Sequence, residues 1–222
     1  MRLTVFNGSP RGKESNSSLL LEHFLEGLNS GGGHTIETFY LNRTKETEKH
    51  VDAFHRAEHV IWIFPLYTDA MPGVVKRFIE ALEPLCGRDE NPSLGFIVQS
   101  GFPEPVHSRY LARYLEKLTK RLGCRHTGTV IKGGVEGIRV LPPRMTKKLF
   151  RYMVDLGKEY AKTGLFDKDT IRKLAPRERM SLGQMLFFRF ANVLGLANIY
   201  WNMQLKKHNA YENRFAHPYK DF

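Results

Sequence analysis

The chain has 222 residues, 41% of them hydrophobic and 26% charged, which is the balance of a water-soluble globular protein of ordinary domain size plus an extension. Its formal charge of +11 admits nucleic acid, an anionic membrane or an anionic cofactor as partner, but much of the excess lies between Arg139 and Arg179 and reads first as a solvated basic face. Its two cysteines, Cys86 and Cys124, lie far apart without a CxxC or metal-ligand spacing, which argues against an iron–sulfur cluster and fits reduced thiols in a cytoplasmic protein.

Leu3 to Phe6 is a short apolar run of strand character, and Met1 and Arg2 enter it with no apolar leader region before it. A loop of Gly8, Ser9, Pro10, Arg11 and Gly12 follows. Asn16, Ser17 and Ser18 are all good N-cap types, and Leu21, Phe24, Leu25 and Leu28 then recur at helical spacing. A strand thus feeds a glycine-, hydroxyl- and arginine-rich loop that ends at a helix N-terminus. Unpaired N–H groups and the positive end of the helix dipole make that a site for a phosphate. No GxGxxG follows the strand. A Walker loop is also excluded: three residues separate Gly8 from Gly12, and Glu14 stands where a magnesium-binding hydroxyl is needed.

Further along, Thr35 to Leu41 reads as a strand and Glu46 to Ala57 as a weak helix. His59 to Phe64 is a continuous apolar run of the kind covered on both faces in a parallel sheet. Pro72 to Leu85 reads as a helix opened by proline in its first turn. Leu94 to Gln99, Val106 to Leu122, His126 to Lys132 and Thr146 to Lys162 continue as strand, helix, strand and helix. Five strands alternating with five helices predict a flavodoxin-like, doubly wound α/β sheet in the order 2-1-3-4-5. That order puts the loops beginning at Asn7, Pro65 and Ser100 on one rim, beyond the carboxyl ends of the strands. The second loop (FPLYTDAMPG, from Phe64) offers Tyr67 as an aromatic plane, with Thr68 and Asp69 beside it. The third (SGFPEP, from Ser100) offers Gly101 for close backbone approach.

A phosphate cradle beside two stiff loops suits a flat heteroaromatic carried on a phosphate, such as FMN. Over about Met1 to Lys162 the sequence resembles the flavodoxin-like NAD(P)H-dependent FMN reductases and quinone reductases. The resemblance rests on GSPRGKESNSS (Gly8 to Ser18), PLYTDAMPGVVKRFIE (Pro65 to Glu80) and SGFPE (Ser100 to Glu104). It implies that Ser9, Arg11, Asn16, Ser17 and Ser18 hold the FMN phosphate. It implies likewise that Pro65, Leu66, Tyr67 and Thr68 flank the isoalloxazine, and that Ser100, Gly101 and Phe102 complete the ring site, with the loop of Gly133, Gly134 and Gly137 nearby. The implied activity is ping-pong transfer from NAD(P)H through FMN to a flavin, quinone or similar acceptor. Backbone N–H groups of the second and third loops would stabilise negative charge on the reduced ring. The flavin carries the chemistry, so no catalytic side chain and no metal is expected. His107 and His126 read as a helix-start and a strand residue. A flavodoxin-type electron carrier is the alternative, although such carriers are usually acidic. No helix-turn-helix, zinc-finger or RNA-binding signature is present, so nucleic acid is not an expected partner.

Residues 1–163 are thus expected to form the FMN-binding domain and 164–222 a basic, helical C-terminal extension that contacts another subunit or covers the pocket. In the extension, Asp167 to Leu174 reads as a short helix stopped near Pro176. Ser181 to Leu205 reads as one longer helix with Leu186, Phe190, Val193, Ala197, Tyr200 and Trp201 on one side. Arg189 and several asparagines interrupt that run and argue against a membrane span. Packing on the domain or on a second subunit of a homo-oligomer is the preferred reading, and a peripheral membrane contact the lesser one.

Overall fold

The structure, a computed structural model, describes residues 1–88, 91–175 and 179–217. Two compact units are present, Met1–Arg179 and Met180–Phe222.

The first unit is built on five strands: β1 (Arg2–Asn7), β2 (Thr35–Tyr40), β3 (His59–Pro65), β4 (Ser93–Gln99) and β5 (Arg125–Lys132). They pair in parallel throughout, in the expected order β2-β1-β3-β4-β5. The three central strands are buried along almost their whole length, whereas β2 and β5 alternate in exposure as edge strands do. Because side chains alternate across a strand, β3 feeds two cores at once. Val60, Trp62 and Phe64 pack with Phe54, Phe78 and Leu115 on one face. Ile61 and Ile63 pack with Phe24, Met153 and Leu156 on the other.

Helices α2 (Thr47–His55), α3 (Gly73–Ala81) and α4 (Arg109–Arg121) line the first face, and α1 (Asn16–Asn29) and α5 (Pro143–Thr163) the second. Helices α1 and α5 approach until their backbones touch. A Cβ on Gly27 would lie 1.9 Å from the Val154 carbonyl oxygen, and one on Gly157 would lie 2.0 Å from that of Phe24. Only glycine fits at either position.

The segment after α5 packs with the sheet. Phe166 donates its N–H to the Thr127 carbonyl (3.0 Å) and is buried beside Gly95 and Gly128, where a Cβ would meet its ring. It leads into α6 (Lys168–Leu174), which is capped by the Asp167 carboxylate through the Thr170 N–H and buries Leu174 in the second core. Pro176, the expected stop, lies outside the described residues.

Several boundaries differ from expectation for local reasons. Pro72 is the cap before α3 rather than its first residue, and the stretch from Glu83 to Leu85 closes as a separate 3-10 turn at Pro84. The expected single helix from Ser181 to Leu205 is two: α7 (Leu182–Val193) and α8 (Ile199–Lys207). Gly195 breaks it by taking a left-handed conformation (φ 71°), the usual way a glycine ends a helix. Ser181 and Gln184 form a reciprocal capping box at the start of α7. No described helix is long and apolar enough to cross a membrane.

Candidate functional site

The three loops of interest emerge from the carboxyl ends of β1, β3 and β4, on either side of the point where the strand order reverses, which is where doubly wound sheets bind ligands. They meet around a cavity of about 150 Å³. From the first loop, Ser9, Arg11, Ser15 and Asn16 line it. From the second come Pro65, Leu66 and Tyr67, and from the third region Gln99, Ser100 and Gly101. Glu136, beyond β5, completes the wall.

The first loop is held by side chains that come from the strand and the helix. Asn7 at the end of β1 accepts the Ser9 N–H on Oδ1 (2.9 Å) and donates from Nδ2 to the Ser18 hydroxyl (2.9 Å). The Ser18 and Ser15 hydroxyls both donate to the Gly12 carbonyl (3.0 and 2.7 Å), while Gly12 itself is left-handed (φ 58°). The N-cap of α1 is Ser15, whose hydroxyl accepts the Ser18 N–H. Asn16, Ser17 and Ser18 are therefore the first three helical residues rather than caps. No acidic residue stands in that first turn, so its unpaired N–H groups and dipole face the cavity without an internal carboxylate to neutralise them.

The connection between β5 and α5 reaches across to this end of the cavity. Asn16 donates to the Val135 carbonyl (2.8 Å) and more weakly to that of Glu136 (3.3 Å). The Arg139 guanidinium donates to the Ser15 carbonyl (2.9 Å). The Arg11 guanidinium lies 3.9 Å from the Glu136 carboxylate, so an acid shares the mouth of the cavity with the cation expected to bind an anion.

Of the residues predicted for the site, Ser9, Arg11, Asn16, Pro65, Leu66, Tyr67, Ser100 and Gly101 lie around this one cavity. Ser17 and Ser18 stand behind it. The Ser17 hydroxyl accepts from Gln99 (3.4 Å), while the Ser18 hydroxyl accepts from Asn7 and donates to Gly12, so the Ser18 side chain builds the loop rather than presenting a donor. Thr68 and Phe102 lie outside the lining, on exposed loop tips. Thr68 takes a positive φ (48°) inside a tight turn that Tyr67 and Ala70 close by exchanging two backbone hydrogen bonds. Phe102 lies against the His107 ring (4.9 Å between centroids). Burial pushes the Lys132 ammonium, at the end of β5, below the usual lysine range.

The backbone donors expected of the second and third loops are partly spent. Leu66 donates to Gln99, Tyr67 to Ala70 and Ser100 to Lys132. That leaves Thr68, Asp69, Gly101 and Phe102 to meet a ligand from those loops. Asn7, Ser15, Gln99 and Glu136 were not anticipated. Ser15 carried a usable signal, as a hydroxyl residue two places after Lys13 at the helix start. Glu136 carried none, since nothing local ties it to a loop more than 120 residues earlier.

Comparisons with known proteins bear on the fold. A family model described as having a flavodoxin-like fold matches residues 1–82. No curated protein matches the sequence. Among solved structures, an FMN-dependent NADH-azoreductase from Bacillus anthracis str. Ames Ancestor, solved in complex with FMN, superposes with a TM-score of 0.55 at 17% identity. That alignment covers 72% of this chain and all of the other. An NAD(P)H:quinone oxidoreductase from Methanothermobacter marburgensis superposes with a TM-score of 0.56 at 18% identity, covering 72% of this chain and 96% of the other. The sheet order, the match over the first 82 residues and these superpositions together identify the chain as a protein of flavodoxin-like fold, as the sequence resemblance implied.

Proposed function

We propose that the protein is an FMN-dependent NAD(P)H oxidoreductase. The observation that carries this reading is the convergence of three loops on one cavity at the strand-order reversal, with hydroxyls, an amide and a guanidinium from the first loop and Tyr67 from the second in its wall. The proteins of similar fold named above are an FMN-dependent azoreductase and a quinone reductase, which supports the same chemistry here.

The donor set fits the cofactor. The Ser9 hydroxyl and the Arg11 guanidinium meet the phosphorylated end, Ser15 and Asn16 spend their own donors on the Gly12, Val135 and Glu136 carbonyls and shape its walls, and the N-terminus of α1 adds partial positive charge. Glu136 holds Arg11 until an anion replaces its carboxylate, which sets a modest electrostatic threshold for entry. Pro65 and the Tyr67–Ala70 turn keep the second loop rigid, and exposed Tyr67 offers a stacking face. Gly101 admits a ring close to the backbone of the third loop, and its N–H would stabilise negative charge on that ring. Ser18 acts by fixing the first loop. FMN, when bound, supplies the centre that accepts two electrons from NAD(P)H and passes them to a flavin, quinone or similar acceptor. Nicotinamide and acceptor use the open side of the cavity in turn, a ping-pong order. The protein works as a homo-oligomer.

Titration with FMN and with riboflavin, followed by NADH and NADPH oxidation with a quinone acceptor, tests the reading. Saturable FMN binding tighter than that of riboflavin, with turnover giving parallel double-reciprocal lines, is expected. Protein that stays colourless with excess FMN overturns it. FMN-loaded protein that oxidises neither nicotinamide overturns the reductase in favour of an electron carrier.

A further inference from the structure

The second unit carries its apolar residues on the outside. In α7, Leu182, Leu186, Phe187, Phe190 and Val193 are all exposed, Leu182 by 77% and Val193 by 79%, and Ala191 alone among the described side chains of that helix is buried. At 100° per residue those five span an arc of about 140°, broader than the stripe with which a helix meets one neighbour. Exposed Met185 and Phe188 extend the apolar surface onto the opposite side. Leu194 and Leu196 in the connection, and Ile199, Trp201 and Met203 in α8, are exposed as well.

Cations sit among these groups. Between residues 180 and 217 there are four, Arg189, Lys206, Lys207 and Arg214, against a single carboxylate, Glu212. Lys206 and Arg214 lie over the Tyr211 ring (4.9 and 4.0 Å to its centroid), and Arg214 also over Phe215 (4.8 Å). Arg189 projects from the edge of the α7 apolar arc, where its aliphatic stem can lie along hydrocarbon while its head stays in water.

We propose that the α7–α8 unit is a monotopic anchor that lies in the surface of an anionic lipid bilayer, with the α7 arc in the acyl boundary and Arg189, Lys206, Lys207 and Arg214 at the headgroups. An exposed apolar arc on α7, in a unit that carries four cations against one carboxylate together with exposed Phe and Trp, suits one leaflet of an anionic bilayer. A second copy of the chain is the less suitable occupant. It would set four like charges against four, and no single stripe is offered for a knobs-into-holes seam. Neither helix is long enough to span a bilayer, so the contact is with one leaflet.

The experiment is sedimentation of the full chain with vesicles of phosphatidylcholine alone or mixed equally with phosphatidylglycerol, at low and high salt. Trp201 reports insertion, because the chain has two tryptophans and the other, Trp62, is sealed in the core. Binding selective for the anionic vesicles, weakened by salt, with Trp201 fluorescence blue-shifted and quenched by brominated acyl chains, is expected. The combined variant Leu186→Ser, Phe187→Ser, Phe190→Ser should lower partitioning at least about tenfold. Lys206→Glu with Lys207→Glu should cost at least about thirtyfold, on anionic vesicles alone. Both variants should retain the flavin affinity of the parent chain. Vesicle binding is read without flavin, so its result is independent of the proposed reductase activity. No binding, equal binding to both vesicle types, or unquenched Trp201 overturns the anchor. So does a dimer, seen by light scattering, that the triple variant dissolves while the parent leaves vesicles bare.

Discussion

The two units use apolar side chains in opposite ways. In the first, Trp62, Phe64 and Ile61 are completely buried between a sheet and its helices. In the second, Leu186, Phe187 and Phe190 stand in the open on a helix of the same regularity. Hydrophobic periodicity reported burial correctly where a sheet was available to receive it, and reported only helix where none was. A helical apolar stripe names a face that wants covering; the rest of the chain decides whether the chain covers it.

Stability measurements sharpen this contrast first. Trp62→Ala removes the largest buried side chain of the first unit and should cost about 3–5 kcal/mol in denaturant unfolding. Phe187→Ala, at an exposed position, should move the same midpoint by less than about 0.5 kcal/mol. Comparable losses at the two positions would break the distinction between units.

A second test addresses the α1–α5 contact. Gly157→Ala would gain about 1 kcal/mol of helix propensity. The new Cβ, however, would sit 2.0 Å from the Phe24 carbonyl oxygen, and the helices must part. We expect a net loss of about 1–3 kcal/mol by thermal unfolding, whereas Gly183→Ala in α7, with open space around it, should be neutral or stabilising.

Within the proposed site the effects are smaller and of opposite sign. If Arg11 meets the phosphate as proposed, Arg11→Ala should weaken FMN binding about tenfold and leave riboflavin unchanged. Glu136→Gln should tighten FMN a few-fold by removing the carboxylate that competes for Arg11, again without effect on riboflavin. Fluorescence titration of each variant with both flavins checks the pair.

The smallest expected effect is on pH dependence. Burial lowers the affinity of His50 for a proton, its ring being enclosed by Phe6, Phe39 and Phe78, and the same cause acts on His59 and His126. Below the ordinary histidine value of 6.5 the unfolded chain therefore binds more protons than the folded one. Stability of the first unit should be full above that pH and fall as pH drops toward the folded values. His50→Leu should flatten the slope in urea unfolding between pH 5 and pH 7, a window taken from about the range histidine titrates in.

The fold was legible because each strand advertised itself twice, by its apolar run and by the helix-forming pattern after it. The first loop was legible because Gly8, Ser9 and Arg11 sit between a strand and a helix start. What stayed hidden depended on partners distant in sequence. Ser17 and Ser18 carry the same hydroxyl as Ser9, yet Gln99, Asn7 and Gly12 engage theirs. Glu136 became part of the cavity wall because Asn16 and Arg139 draw the β5–α5 connection across the opening of the first loop. Gly195, by contrast, was visible as a residue, and its apolar flanks concealed it as a helix end.

The reciprocal glycines of α1 and α5 also set the smallest piece of chain able to carry a ligand site. The helix whose N-terminus faces the cavity rests its back on α5, and at Gly27 and Gly157 no side chain stands between the two backbones. A fragment ending after the first 82 residues would hold every donor of the opening loop and the β1 and β3 side chains under α1, but not the α5 surface against which α1 closes. Such a fragment should therefore remain unfolded, however much of the recognisable motif it retains.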